Sequence, residues 1–359
     1  MKGLINKYSL IGFFSLFITL STTFQSCEDF LDIDPYITDL FTRDSLFVKK
    51  EYTQQYLNNI YSYLLDYGTQ IAMGGRRGVP YTLISDEGFC NYWKTWHNHN
   101  YWATGQLTSE NLNEFDRWDS LYEGIRKANT FIENVDKCQE VTEYKRAEWI
   151  GEATFIKANL YFDLMLAFGP VPIMPDKPID FDVPINEMMV ERNTWDECSD
   201  YVSSLLETAI QLLPAQVADN ADIGKPTKYS ALAVLSRLSL YTASPLFNGQ
   251  NLEFSNFRND AGTPYLNPEF NPEKWAVAAV NAKRLVDEKP NDLYTVPKMN
   301  NTPYLPVPEA EQALFPNGVG GIDPYHSYLD MFNGECVLAS SNVEILFTRQ
   351  KSENMHMLL

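Results

Sequence analysis

Trp93, Trp96, Tyr101 and Trp102 stand close together in a stretch of Asn, His and Thr, outside any helical stripe. Those residue types in a polar loop suit one chemistry above others. A pyranose ring has apolar C–H faces on which an indole or phenol ring stacks, while neighbouring amide, carboxylate or guanidinium groups bond its hydroxyls. Asp86 and Arg77, earlier in the same stretch, are of the type that bonds hydroxyls. The four aromatics and these two polar residues are therefore the candidate carbohydrate-binding set. The competing expectation is that some of the aromatics staple a long loop to the body, and that Arg77 is solvated surface.

Other chemistries find less support. The chain has no GxSxG, HExxH, phosphate loop or dinucleotide fingerprint. His97 and His99 could place two imidazoles near one metal, but the sequence offers no third ligand, and loop polarity is the better reading. Asp86 and Glu87 could supply a glycosidase carboxylate pair, yet that pair is defined by separation in space. Among 47 acidic residues such a pair means little, and capping roles are preferred. No catalytic residue, metal or cofactor is expected.

The totals narrow the classes further. A length of 359 residues with 45% hydrophobic content can build a sizeable core. The net charge of −19, from 28 basic and 47 acidic residues, excludes a nucleic-acid partner, which requires a basic face. Five cysteines, at 27, 90, 138, 198 and 336, show no CxxC spacing. Cys138 and Cys198 fall in helical patterns and read as small buried thiols, while a disulfide among the last four stays open in an oxidising compartment.

The elements that must position the aromatic loop are helical. Tyr52 to Leu65 reads as a first helix, with Tyr52, Tyr56, Ile60, Tyr63 and Leu64 on one side. A long irregular stretch follows, from Asp66 to about Glu110, of a length usually reserved for function. A helical hairpin from Asn113 to Pro172 then forms the centre of the chain. Its first arm has one apolar stripe, Trp118, Leu121, Tyr122, Ile125, Ala128, Ile132 and Val135. Its second arm is apolar on two faces, one through Ile150, Ala153, Leu160 and Leu164, the other through Phe155, Phe162 and Leu166. Such a helix must be packed from both sides. Gly169-Pro170 stops it.

A proline-rich extended connector runs from Pro170 to Pro184. Thr194-Trp195-Asp196-Glu197 has capping-box spacing and opens a helix that ends at Pro214. Another helix follows Lys225-Pro226-Thr227, with Ala231, Leu235 and Leu238 inward. Asn271-Pro272-Glu273 caps a third, carrying Trp275, Ala279, Ala282 and Val286. Asn342 to Phe347 is a strand-like run. Ala153, Lys157, Leu160 and Tyr161 recur as Ala233, Arg237, Leu240 and Tyr241, as stacked helical repeats would require.

The N-terminus reads as an address. Lys2 and Lys7 precede an apolar run, Leu10 to Leu20, of signal-peptide length and too short to span a bilayer. Gln25-Ser26-Cys27 resembles a bacterial lipobox, which implies a lipoprotein signal peptide over residues 1–26 and acylation of Cys27. Several acyl chains on one residue give stable anchoring. The acidic run from Glu28 to Asp32 resembles a surface-export signal.

Several segments together resemble the SusD/RagB family of Bacteroidetes surface lipoproteins. They are CEDFLDIDP from Cys27, the SDE at Ser85, YEGIRKANTFIENV, GEATFIKANLYFDLMLAFGPVPI, KPTKYSALAVLSRLSLYTASPLFNG and SNVEILFTRQ at Ser341. The resemblance implies a mainly α fold, a right-handed superhelix of tetratricopeptide-like helix pairs with long loop-rich insertions. It implies an outer-membrane, lipid-anchored, outward-facing protein that captures oligo- or polysaccharide and delivers it to a SusC-like TonB-dependent transporter, without catalysis. The SusD-like domain would occupy residues 27–359 as the N-terminal part of the family fold, since members usually continue beyond the position of Arg349-Gln350. Two rivals predict other behaviour. An all-helical glycoside hydrolase would release sugar, and a periplasmic helical-repeat scaffold would bind proteins inside the envelope.

Overall fold

The computed structural model describes residues 46–65, 105–106, 108, 110, 116–177, 183–185, 189–217, 222, 224–289, 293–300, 321–332 and 342–347. The chain divides into two compact units, Met1–Leu46 and Phe47–Leu359, and every described helix lies in the second. The helices are α1 (Lys50–Tyr61), α2 (Trp118–Asn134), α3 (Glu143–Phe168), α4 (Trp195–Leu212), α5 (Lys228–Ala243), α6 (Pro272–Glu288) and α7 (Pro324–Phe332). A two-residue antiparallel pair joins β1 (Val296–Pro297) to β2 (Ile322–Asp323). The fold is mainly α.

From α2 to α6 each helix packs against the next in chain order, and α1 rests on both α2 and α3. Helix α3 is the centre. Its side chains are buried around the whole circumference, among them Trp149, Phe155, Ile156, Leu160, Tyr161 and Leu164. That is the expected consequence of two apolar faces. Thr142 caps its start by accepting from the Lys145 N–H, and Gly169 ends it at φ +70°. The boundaries of α4 follow equally local chemistry. Thr194 and Glu197 form a complete capping box, with Thr194 N–H donating to Glu197 Oε2 at 2.7 Å.

The small residues mark close crossings. A Cβ added at Gly124 of α2 would lie 2.7 Å from Leu160 Cδ1 and 2.8 Å from Tyr63 Cβ. Only glycine lets the three segments approach this closely. Cys198, within α4, and Cys138, in extended backbone just past the end of α2, are both free and buried.

The structure departs from the sequence patterns at five places. The inward face of α1 is Thr53, Leu57 and Ile60, with the expected Tyr56 half-buried against Phe47 and Phe131 and Tyr52 not part of it. Tyr61 and Tyr63 instead reach sideways with their hydroxyls, to Glu152 and Glu123 at 2.6 Å each. Phe131, absent from the expected stripe of α2, is fully buried against Phe47, with ring centroids 6.0 Å apart. Helix α6 turns its apolar side outward: Trp275 and Val286 are exposed, and only Ala278 is buried. The reason is polar. Lys274, Asn281 and Arg284 on its other side bond Asp196, Ser239 and Glu207, so specific partners on α4 and α5 set the roll of the helix. Finally, residues 342–347 form a turn and an irregular segment. Side chains pin it: Ser230 Oγ donates to the Leu346 carbonyl at 2.6 Å and Phe347 meets Phe155 edge-on. The repeat is also unequal, since Leu160 is buried and Leu240 exposed. Helix α5 lies between α4 and α6 as α3 lies between α2 and α4, but it meets its neighbours through other residues, Ala231, Leu235 and Leu238 among them.

Candidate functional site

The candidate carbohydrate-binding residues Arg77, Asp86, Trp93, Trp96, Tyr101 and Trp102, the histidines 97 and 99, and Cys27 all lie outside the described residues. What the described residues bring together is a different place, next to the end of α3.

Gly169, Pro170, Pro172 and Pro175 make the chain after α3 an extended strap, because proline neither continues a helix nor donates to a ladder. An extended strap against a protein body needs partners for its backbone groups. Side chains from α2, α3 and the segment before α4 provide them. Tyr122 Oη donates to the Pro172 carbonyl at 2.7 Å, and Asn129 Nδ2 to the Pro175 carbonyl at 3.0 Å. Met174 N–H donates to Tyr161 Oη at 3.0 Å, and Ile173 N–H to Asn193 Oδ1 at 2.9 Å. Arg192 donates to the carbonyls of Phe168 and Pro170 while its guanidinium lies 5.1 Å from the centre of the Trp118 ring. Burial pushes the hydroxyls of Tyr122 and Tyr161 well above the usual phenol range, so both remain protonated.

The far end of the strap is held by charge. Lys157, in the buried middle of helix α3, donates to Asp176 Oδ1 at 2.6 Å, and Tyr201 Oη donates to the same oxygen at 2.9 Å. The Lys157 side chain is 3% exposed and that of Asp176 80%. Burial depresses the Lys157 amine, with Asp176 only partly offsetting it. For Asp176 burial acts upward, but the Lys157 bond and charge and the Tyr201 hydroxyl outweigh it and hold the carboxyl below its ordinary value. The buried partner carries the desolvation cost and the exposed one the benefit.

Between α2 and this strap lies a cavity of about 620 Å³. Trp118, Tyr122 and Asn129 line it from α2, together with Asp119, Glu123 and Arg126. Pro172, Met174, Pro175, Met189 and Val190 form the facing wall. Asn129 is 4% exposed, and its Oδ1 is buried with no hydrogen-bond partner. A second buried group is Glu152, which takes the Tyr61 hydroxyl at 2.6 Å and lies 3.8 Å from Lys225 Nζ. Burial raises its carboxyl pKa, and it ties α1, α3 and the segment before α5 together. Among the described residues no group of three or more His, Cys, Asp and Glu side chains is placed to hold a metal, and no helix is long and apolar enough to cross a membrane.

Sequence reasoning passed over Asn129, Lys157, Asp176 and Arg192. A signal existed for two of them. A lysine in a helix apolar on both faces, and an asparagine beside a buried stripe, each require a partner that sequence spacing does not name.

Comparison with known proteins gives the fold a lineage. A SusD-like family model, described as starch-binding and associating with the outer membrane, matches residues 29–240. A SusD-like protein of Formosa agariphila is 24% identical over 221 residues, covering 60% of this chain and 40% of that protein. A SusD-like protein of Bacteroides ovatus is 25% identical over 145 residues, covering 40% of this chain and 25% of the relative. The chain thus matches less than half the length of these curated relatives. Among solved structures, BT4246 shares the fold at TM-score 0.58 with 20% identity, covering 82% of this chain and 49% of its own. A SusD-like carbohydrate-binding protein of Bacteroides fragilis, BF0978, aligns at TM-score 0.51 with 16% identity, over 72% of this chain and 43% of its own. Stacked helix pairs of the tetratricopeptide-like kind are common to them. With the match spanning more than half of its length, the chain belongs to the SusD-like family.

Proposed function

We propose that this protein captures an oligo- or polysaccharide at the outer membrane and delivers it to a SusC-like TonB-dependent transporter, itself performing no catalysis. The observation that carries the reading is the family match, whose model is described as starch-binding and associating with the outer membrane. That match begins at Asp29, two positions after Cys27, where the mature chain begins if residues 1–26 are a signal peptide. An acylated Cys27 anchors the protein, which faces the cell exterior. The aromatic residues Trp93, Trp96, Tyr101 and Trp102, with Asp86 and Arg77, contact the glycan.

Affinity electrophoresis against plant, host and microbial polysaccharides tests this. Retardation by one glycan, weakened by Trp93→Ala, Trp96→Ala or Trp102→Ala and without release of reducing ends, is the expected result. Released sugar would replace capture by hydrolysis. Retardation that none of the three changes weakens would remove the aromatic loop from the site. Co-purification with a TonB-dependent transporter from membranes of the native host tests delivery.

A further inference from the structure

We propose that the outer face of α7 is a stacking platform for adjacent rings of a neutral glycan, built by Tyr325 and Tyr328 with His326 at its edge; this rests on the glycan-capture reading. Tyr325 and Tyr328 are 60% and 69% exposed, two large rings one helical turn apart and both turned to solvent. Leu329, also exposed, completes the same face. Side chains three and four positions apart on a helix are immediate neighbours, with Cβ atoms about 5–6 Å apart. Both phenol rings can therefore lie against one short run of an extended glycan.

The roll of α7 explains why these residues face outward. Its inner side is polar, with Asp323 and Ser327 buried. The His326 N–H donates to Asp323 Oδ1 at 2.9 Å, and Ser327 Oγ donates to the Asp323 carbonyl. Ser327 Oγ in turn accepts from the Val296 N–H of β1 at 2.8 Å, and Asn342 Nδ2 donates to the Met331 carbonyl at 2.9 Å. These bonds hold the helix at both ends and send Tyr325, Tyr328 and Leu329 to the opposite side. The platform is in place before a ligand arrives, so binding costs little ordering.

The chemistry of the face selects its occupant. Tyrosine offers an apolar ring and a hydroxyl, which match the C–H faces and the hydroxyl rim of a pyranose. The His326 ring meets Tyr325 edge-on with centroids 5.3 Å apart, and its Nδ1 lies 3.7 Å from Asp330 Oδ1. An imidazole and a carboxylate thus border the platform, where they can bond sugar hydroxyls. Other occupants fit less well. A stable protein partner needs about 800 Å² on each side, and a nine-residue helix, about 14 Å long, offers a fraction of that. Docking on an anionic membrane surface calls for lysine or arginine beside the apolar face, and α7 carries neither.

The test is fluorine NMR of the purified full chain carrying meta-fluorotyrosine, with cellotetraose, laminaritetraose, maltotetraose, xylotetraose and mannotetraose as probes. Tyr325→Phe and Tyr328→Phe each delete one signal and so identify it. Tyr144, exposed at the start of α3, is the internal control, identified by Tyr144→Phe. The expected result is a saturable shift of the Tyr325 and Tyr328 signals with at least one probe while the Tyr144 signal stays in place. In calorimetry, Tyr325→Ala combined with Tyr328→Ala should weaken binding of that probe about tenfold, whereas the phenylalanine variants keep the stacking face and should stay within about threefold of the parent. All three tyrosines are exposed, so none of these changes opens the core. Unmoved Tyr325 and Tyr328 signals with every probe at millimolar concentration, or equal shifts at Tyr144, would overturn the platform. Polysaccharide retardation of the same protein is read separately. Retardation without tyrosine shifts refutes the platform and leaves capture standing, whereas tyrosine shifts without retardation support the platform and count against capture.

Discussion

Asp176→Ala and Lys157→Met remove opposite halves of the same ion pair, and their costs should differ sharply. Nζ and Oδ1 are 2.6 Å apart, with Lys157 3% and Asp176 80% exposed. At an effective dielectric near 20, charges about 3 Å apart attract by about 5 kcal/mol before desolvation is counted. Desolvating the amine takes back much of that. Removing Asp176 leaves a buried ammonium unpaired, which costs about 3–5 kcal/mol in a closed interior. Because Asp176 lies at the surface, water follows into its place, and about 2 kcal/mol is the better expectation. Replacing Lys157 with Met keeps the length of the side chain, removes the buried charge and returns Asp176 to water. That change should lie within about 1 kcal/mol of the parent in either direction.

Urea unfolding at neutral pH, with unchanged m-values, measures both. Acidification supplies a second check. The Asp176 carboxyl is held below 3.8, so its contribution is present above that value and is lost as pH falls through the depressed pKa. The penalty of Asp176→Ala should therefore shrink below pH 3.8. Equal costs for the two variants at neutral pH, or a penalty indifferent to acid, would refute the assignment of the buried charge to Lys157.

Thr194→Ala should lower stability by about 1 kcal/mol through loss of the capping box; a loss below a few tenths would show that α4 is held by packing alone. Gly124→Ala should destabilise by about 1–2 kcal/mol, overpacking against Leu160 and Tyr63 outweighing the gain in helix propensity, and a rise in melting temperature would contradict the crossing geometry. Cys198 has its thiol pushed up to about 11 by burial, and Cys138 is fully buried. Iodoacetamide at mildly alkaline pH should label neither in the folded protein and both in urea, as peptide mapping would reveal. For Glu152, burial raises the carboxyl pKa above 4.5, so the native state holds the proton more tightly than the unfolded chain. Stability relative to Glu152→Gln should fall as pH rises upward from 4.5, and a gap that widens in favour of the parent would reverse that sign.

The sequence by itself determined what depends on neighbours within a turn or two. The caps at Thr142, Thr194 and Asn271, the stop at Gly169 and the two apolar faces of α3 are local patterns, and the structure follows them. Family membership was legible too, because its marks are short segments in a fixed order. Tertiary structure decided whatever required a partner from elsewhere in the chain. The apolar stripe of α6 faces outward because Lys274, Asn281 and Arg284 meet partners 42 to 78 positions away. The aromatic loop, where spacing placed the glycan site, lies outside the described residues. The cavity beside α2 had no signature, since its walls come from a helix and a strap some 50 residues apart in sequence. Lys157 reads as one more polar residue on an apolar helix until Asp176, 19 positions on, is seen beside it. Periodicity reports which face a residue shares with its own helix; the free energy of a buried charge or an unpaired amide depends on what the chain brings back to it.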